Sequence, residues 1–156
     1  MYKKILVPLD GSELSESVLN HVVTIATSCQ VPEVVLMRVR EPLDKSTIME
    51  KYFDAKNASE LDEDCHNEAA SYLEEIATTL KQKGIAVKIE VSAGDPAEEL
   101  IKYSQRSGVD LIVMSSHCRS GVSRWVQGSV SDQLIRQTEA TVLIRSGCYS
   151  ANELPV

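Results

Sequence analysis

The chain has 156 residues, which is enough for one domain of ordinary size and too few for two comfortable ones. Hydrophobic residues make up 43% of it and charged residues 25%, which excludes a disordered tail, a collagen-like rod and a membrane channel. The formal net charge of −7 argues against nucleic acid or an anionic membrane as the main partner, because an acidic surface repels phosphate groups at long range. With only a short apolar stretch near its start, the chain is expected to be cytoplasmic.

Five short apolar segments have the length of β-strands. Four of them, which begin at Ile5, Val34, Leu111 and Val142, are continuous apolar runs, the pattern of parallel strands that helices bury on both faces. The segment 87–91 alternates apolar with charged residues instead. We therefore expect that strand to be half-exposed and to lie near an edge of the sheet.

Helical periodicity separates these strands. Apolar residues recur at spacings of three and four behind Ser12 as far as Cys29, which predicts one helix with Ser12 as its N-cap. A second pattern runs over 69–80 and stops before Gly84. The third predicted helix starts at Asp95, which is followed by proline at the first turn, and it ends at Gly108.

The last predicted helix begins near Ser129 and has Val130, Leu134 and Ile135 at its apolar positions. The resulting order β-α-β-α-β-α-β-α-β predicts an α/β fold, a three-layer α/β/α sandwich around a doubly wound, five-stranded parallel sheet. We expect one domain over 1–147 and a flexible tail over 148–156. Residues 41–60 form a long polar connection that is a lid, a helical insertion or a disordered excursion.

Sheets of this kind bind ligands at the carboxyl ends of strands where the winding reverses, which directs attention to the loops after Leu9, Val39 and Met114. The loop after Met114 ends in Gly128 and Ser129 at a helix start. Unpaired N–H groups and the positive end of the helix dipole favour a phosphate there, and neighbouring serine hydroxyls add donors. The alternative is that the Gly-Ser pair is only a turn and a helix cap.

Two stretches, Lys4-Ile-Leu-Val-Pro-Leu-Asp-Gly-Ser12 and the region from Met114 to Arg145, resemble the universal stress protein family. The segment Gly94-Asp95-Pro96-Ala97 belongs to the same match, which spans nearly the whole chain. The resemblance implies a Rossmann-like fold of the adenine nucleotide alpha hydrolase type. In nucleotide-binding members it also implies a Gly-x2-Gly-x9-Gly-Ser/Thr pattern that cradles ATP.

The resemblance puts the four motif positions at Ser115, Cys118, Gly128 and Ser129. The final Gly-Ser matches, Ser115 is a small replacement for the first glycine, and Cys118 replaces the second. A cysteine adds a Cβ and a sulfur where glycine supplies a positive φ or room for the phosphates. The sulfur either fills the cradle or points away from it, and the sequence leaves both open.

The resemblance also implies contacts to the adenosine part and an extended phosphate loop. The residues at the adenosine part are Pro8, Leu9, Asp10, Val39 and Met114, and those at the phosphate loop are Arg119, Val130 and Ser131. Asp10 is the natural acceptor for a hydroxyl or amino group of the ligand. The alternative for Asp10 is a strand-end cap beside Gly11, and the alternative for Val39 and Met114 is the core.

Neither a metal site nor a catalytic constellation is predicted. The pairs Cys65-His66 and His117-Cys118 are adjacent in sequence, whereas structural zinc requires four convergent ligands from close-spaced pairs. The sequence contains no Ser-His-Asp order, paired carboxylates or HExxH motif, so any hydrolysis of a bound nucleotide is expected to be slow.

The first hypothesis is therefore a universal stress protein that binds ATP as a regulatory ligand in a stress response, with ADP and AMP as alternatives and with Mg²⁺ bound through the phosphates. The second is a dimeric interaction module whose pocket is blocked at Cys118, and the third is a weak ATPase or nucleotide-dependent transferase. Members of the family commonly dimerise through the last strand. The resemblance thus implies a homodimer through Thr141 to Arg145, an apolar edge that would otherwise be open to aggregation.

Overall fold

The computed structural model describes residues 1–42, 55–116 and 130–147. In these ranges the elements, in chain order, are β1 (Lys4–Pro8), α1 (Glu13–Glu16), α2 (Leu19–Ser28), β2 (Glu33–Arg40), α3 (Ala55–Gln82), β3 (Val87–Ala93), α4 (Pro96–Ser107), β4 (Leu111–Ser116), α5 (Val130–Gln137) and β5 (Thr141–Ser146). The five strands form one sheet in the order β3-β2-β1-β4-β5, and every neighbouring pair is parallel. The predicted doubly wound parallel sheet is confirmed.

The two faces of the sheet bury separate apolar clusters, which gives the predicted three layers. On one face, alternate residues of β1 and β2 pack with α2 and α3, and Val22 and Leu73 are fully buried there. On the other face, Leu6 and the intervening residues of β2 pack with α4 and α5, and Leu134 is fully buried. Because side chains alternate along a strand, a continuous apolar run supplies both clusters at once.

The predicted helix boundaries at α1 and α4 are confirmed by their capping contacts. The Ser12 hydroxyl accepts a hydrogen bond from the N–H of Ser15 at 3.1 Å, and the Asp95 carboxylate accepts one from Glu98 at 3.0 Å. Each contact satisfies one of the backbone donors that a helix start leaves unpaired. Gly108 ends α4 in the left-handed conformation with φ +64°, as expected of a glycine at this position.

The single helix predicted from Ser12 to Cys29 is wrong in one respect, because α1 and α2 are separate segments. The N–H of Ser17 approaches the carbonyl oxygens of both Glu13 and Leu14, at 3.0 and 3.2 Å. The Ser17 hydroxyl also accepts a hydrogen bond of 2.7 Å from the guanidinium of Arg145 in β5. The interruption thus lies at a contact with a strand that is 128 positions away in the sequence.

The helix predicted over 69–80 is longer than expected, because α3 begins at Ala55. The last part of the polar connection is therefore helical, while residues 43–54 and the tail from 148 lie outside the described residues. Arg40 at the end of β2 forms a 2.8 Å ion pair with Asp62, which fixes the extended part of α3 to the sheet. None of the helices in the described ranges is long and apolar enough to cross a membrane.

Both edge strands are only partly buried. The half-exposed β3 was predicted, but β5 was expected to be buried on both faces, and Val142, Leu143 and Ile144 are half-buried. They have this exposure because β5 lies at the end of the strand order, beside β4 alone. Ile135 of α5, which was predicted at an apolar position, is 56% exposed, whereas its neighbour Leu134 takes the buried position.

Candidate functional site

The order of the strands places the change of winding direction between β1 and β4. The β1–β4 ladder consists of two pairs, Ile5 with Leu111 and Leu6 with Ile112, although β1 continues to Pro8 and β4 to Ser116. Pro8 lacks the N–H that a ladder requires. The two strands are therefore not paired with each other at their carboxyl ends, which is where sheets of this type bind ligands.

A tight loop follows β1 at this opening. The Asp10 carboxylate accepts hydrogen bonds from the N–H of Ser12 at 2.9 Å and from its hydroxyl at 2.6 Å. Gly11 lies between them with φ +88°, a backbone conformation that L side chains rarely adopt. The alternative reading of Asp10 as a turn residue is thus correct as far as its contacts with Ser12 go. The same contacts fix a negative charge beside the opening.

The other wall of the opening is formed by the end of β4 and the start of α5. The hydroxyl oxygens of Ser116 and Ser131 are 3.4 Å apart, and Ser131 is buried. A short helix that starts here directs backbone N–H groups and its positive dipole end toward the carboxyl edge of the sheet. The arrangement suits an anionic group better than a cation.

An apolar floor lies below these polar groups. Val39, Met114 and Val130 all pack on the cluster that α4 and α5 cover, and Met114 is buried. Three elements that are far apart in the sequence thus contribute to one apolar surface at the carboxyl edge. A flat, mostly apolar group could pack there while its polar substituents face the hydroxyls.

The other predicted site residues differ in which groups they can present to a ligand. Pro8 and Ser115 are half-buried at the ends of their strands. The side chain of Leu9 belongs to the cluster on the α2 and α3 face and is 2% exposed, so it has only backbone groups to present to a ligand. Four predicted residues lie outside the described ranges: Cys118, Arg119, Gly128 and Ser129.

Sequence reasoning missed two features near the opening. Ser116 was not predicted, although a second serine directly after Ser115 at a strand end was a usable signal. The other feature is a contact between β2 and α3, where the Arg38 guanidinium lies 5.1 Å from the ring centroid of Tyr72. The Tyr72 hydroxyl donates a 2.9 Å hydrogen bond to Glu16, and no local pattern could have paired these residues.

The titration behaviour of this second feature follows from its surroundings. Burial, reinforced by the hydrogen bond to Glu16, raises the pKa of Tyr72 to about 12, so its phenol remains a donor at neutral pH. Farther along β2, the hydrogen bond from Arg40 holds the pKa of Asp62 below its usual value. The Asp62 carboxylate is therefore an ionised acceptor in neutral solution.

Two surface hollows lie away from the opening. One of about 640 Å³ runs along α3 beside Ile89 of β3, and one of about 210 Å³ lies on α2 around His21 and Thr24. Both are open to solvent, and neither is at the change of winding direction. Within the described ranges, no three His, Cys, Asp or Glu side chains come together as metal ligands. We therefore place the candidate site between β1 and β4.

Comparison with known proteins agrees with this architecture. The sequence pattern of the universal stress protein family matches residues 1–145. Universal stress protein MJ0577 of Methanocaldococcus jannaschii is 32% identical over 154 residues, which cover 92% of this chain and 94% of that protein. Its solved structure superposes with a TM-score of 0.77 and covers 96% of this chain and 99% of its own. The chain belongs to the universal stress protein family.

Two more distant solved structures share the fold. A universal stress protein in complex with cAMP has a TM-score of 0.70 at 18% identity and covers 93% of this chain and 97% of its own. A universal stress protein family protein from Arabidopsis thaliana with AMP bound has a TM-score of 0.62 at 16% identity. It covers 98% of this chain and 95% of its own. At these identities the likeness shows a shared fold alone.

Proposed function

We propose that this protein binds an adenine nucleotide in the opening between β1 and β4, as a regulatory ligand and without efficient turnover. The observation that carries the proposal is the position of the Asp10 carboxylate after β1 and of the Ser116 and Ser131 hydroxyl pair at the end of β4 and the start of α5. The apolar floor below them, which includes Val39 and Met114, suits a purine ring.

The ligands of the two distant relatives support this choice of base. One is described with cAMP and the other with AMP, and the adenine ring and its ribose are common to both. We assign the base and ribose to the side of Asp10 and Val39, where a carboxylate can accept from a hydroxyl or an amino group. The phosphates are assigned to the side of Ser131, near the start of α5.

ATP is our preferred nucleotide, with ADP and AMP as alternatives. Ser115, Cys118, Gly128 and Ser129 would then form the motif around the phosphates, with Arg119 as an added positive charge. Mg²⁺ would be bound through the phosphate oxygens, because magnesium usually retains several waters and few protein ligands. This part of the proposal depends on sequence alone, since these residues lie outside the described ranges, Ser115 excepted.

Calorimetry on the purified full chain tests the proposal. We expect saturable binding of Mg-ATP with one site per chain, and binding of AMP and cAMP at the same site by competition. Mg-GTP is the matched control, since it has the same triphosphate and a different base. Absence of heat with all three adenine nucleotides would contradict nucleotide binding and favour the second hypothesis, an interaction module blocked at Cys118. Equal affinity for Mg-GTP would contradict the assignment of the base.

We further propose a homodimer that forms through β5. Val142, Leu143 and Ile144 are half-buried in the single chain, and Ile135 on the adjoining α5 is 56% exposed. Large apolar side chains with this exposure on one side of a domain are typical of an interface. An edge strand with unpaired backbone groups also tends to be covered by a partner.

Light scattering after size exclusion tests the dimer. The wild-type mass should correspond to two chains, and Val142→Lys should reduce it to one chain, because a buried lysine at an interface is costly. Ile89→Lys on β3 is the matched control, since Ile89 is a half-buried β-branched residue on the opposite edge strand. A one-chain mass for the wild type, or loss of the dimer in both variants alike, would contradict an interface at β5.

A further inference from the structure

A set of side-chain contacts around Arg38 lies near the opening between β1 and β4, on the face of the sheet that α2 and α3 cover. Arg38 shares this face with Val34 and Leu36, since alternate residues of a strand point the same way. Val39 points to the opposite face, where the apolar floor of the proposed site lies. Groups that contact Arg38 are therefore separated by the sheet from a bound base.

Arg38 lies next to the loop that follows β1. A Cβ placed on Gly11 would lie 3.5 to 3.6 Å from the guanidinium atoms of Arg38, which is ordinary van der Waals distance. The guanidinium thus lies close to Gly11, the residue next to Asp10, and it also lies over the Tyr72 ring of α3. A displacement of Tyr72 would therefore remove one of the groups that hold the Arg38 side chain beside Gly11.

Tyr72 also fixes the far end of the same loop. Its hydroxyl donates to a Glu16 carboxylate oxygen at 2.9 Å, and Glu16 is the last residue of α1. Between Asp10 and Glu16 the segment is internally bonded, because the Ser15 hydroxyl donates to the carbonyl of Ser12 at 2.8 Å and the Ser15 N–H donates to the Ser12 hydroxyl. The segment is therefore a compact unit, and Tyr72 contacts its Glu16 end directly and approaches its Gly11 end through Arg38.

We propose that Tyr72, Arg38 and Glu16 are positioning residues for the nucleotide site, which fix the Asp10 loop from the α3 face without contacting the ligand. This inference depends on the proposed function, because it assigns the positioned carboxylate to a nucleotide. Burial raises the pKa of Tyr72 to about 12, which is consistent with a permanent hydrogen-bond donor at neutral pH.

The test compares Mg-ATP affinity by calorimetry with amide exchange by NMR in the ligand-free protein. Tyr72→Phe retains the ring below Arg38 and removes the donor, and Glu16→Ala removes the acceptor. We expect each variant to weaken Mg-ATP binding by about fivefold. The double variant should bind Mg-ATP no more weakly than either single variant, because both substitutions remove the same hydrogen bond. Glu16→Gln, whose amide oxygen still accepts, should bind like the wild type. Exchange at the Ser12 and Ser15 amides should rise in the two weakened variants.

Tyr103→Phe is the matched control, because Tyr103 of α4 also has a guanidinium over its ring, that of Arg106 at 5.9 Å. It should change neither the affinity nor the exchange of the loop. Wild-type affinity and exchange in Tyr72→Phe would overturn the inference, and so would equal weakening in Tyr103→Phe. A wild-type protein that binds no Mg-ATP would contradict the proposed function itself. Unchanged affinity in variants of a protein that does bind would overturn the positioning role alone.

Discussion

The amino and carboxyl ends of the neighbouring strands β1 and β4 differ in how they are hydrogen-bonded to each other. At the amino end the Asp110 carboxylate accepts hydrogen bonds from the backbone N–H groups of Lys3 at 2.7 Å and Lys4 at 3.1 Å. The Asp110 N–H donates to the Lys4 carbonyl, and its own carbonyl accepts from Thr141 of β5. One residue therefore links three strands where they enter the sheet.

At the carboxyl end the same two strands have no ladder pair beyond Leu6 and Ile112. Polar groups occur there on both sides, with Asp10 on one and the Ser116 and Ser131 hydroxyls on the other. Asp110 precedes β4 and bonds to backbone groups of the fold, whereas Asp10 follows β1 at the opening where we propose that a ligand binds. Variants at the two ends should therefore separate loss of stability from loss of binding.

The largest effect is expected at the closed end. Asp110→Ala removes two charge-assisted hydrogen bonds to backbone N–H groups, and it should lower the free energy of unfolding by about 2 kcal/mol. Urea denaturation measures this loss. Affinity for Mg-ATP, measured on the folded variant, should stay at the wild-type value. A tenfold loss of affinity in this variant would break the distinction between the two ends.

A smaller effect of the opposite kind is expected at the open end. Asp10→Asn retains an oxygen that can accept from Ser12 and removes the charge, so the fold should be little affected. Binding of Mg-ATP should weaken by about tenfold, or about 1.4 kcal/mol. Calorimetry and urea denaturation of the same preparation give both numbers. An unchanged affinity would show that the Asp10 carboxylate only caps its own turn.

The glycine motif gives the third prediction. Cys118→Gly removes a Cβ and a sulfur from the second glycine position of the motif, and we expect Mg-ATP to bind about fivefold more tightly. The control is Cys118→Ser, which keeps the Cβ, and calorimetry compares its affinity with those of Cys118→Gly and the wild type. Equal affinity in all three proteins would mean that the thiol does not reach the phosphates.

The smallest effect near neutral pH concerns Tyr72, at which the stability depends on pH only in alkaline solution. Its pKa is about 12 in the folded protein against 10.0 for an exposed tyrosine, so the folded state binds the phenol proton more tightly than the unfolded state. The stabilisation is complete below pH 10 and is lost as the pH rises through 12. Urea denaturation at several pH values should show the difference between wild type and Tyr72→Phe shrinking over this window. A constant difference would contradict the raised pKa of Tyr72, to which burial and the hydrogen bond to Glu16 both contribute.

The sequence predicted the features that depend on local or periodic signals. Apolar runs and alternation identified the five strands and the three layers, and Ser12 and Asp95 were identified as helix caps from their position before apolar periodicity. Each of these depends on residues within one or two turns. Local signals were therefore sufficient for the order of the strands along the chain and for the edge of the sheet at which we propose the site.

What the sequence did not predict depends on contacts between distant residues. The break between α1 and α2 coincides with a hydrogen bond from Arg145 to Ser17, and the last residue of α1, Glu16, is hydrogen-bonded to Tyr72 of α3. The exposure of β5 depends on its place in the strand order, which an apolar run does not specify. Periodicity describes each element alone, whereas these features arise from pairs of elements.

A backbone NMR titration of the full chain with Mg-ATP tests whether a nucleotide binds between β1 and β4. We expect the amide signals of Asp10, Ser115 and Ser131 at the carboxyl end to shift in a saturable way. The amide signals of Lys4 and Thr141 at the amino end should not shift. Shifts confined to the amino end, or no shifts at saturating nucleotide, would contradict a nucleotide site between β1 and β4.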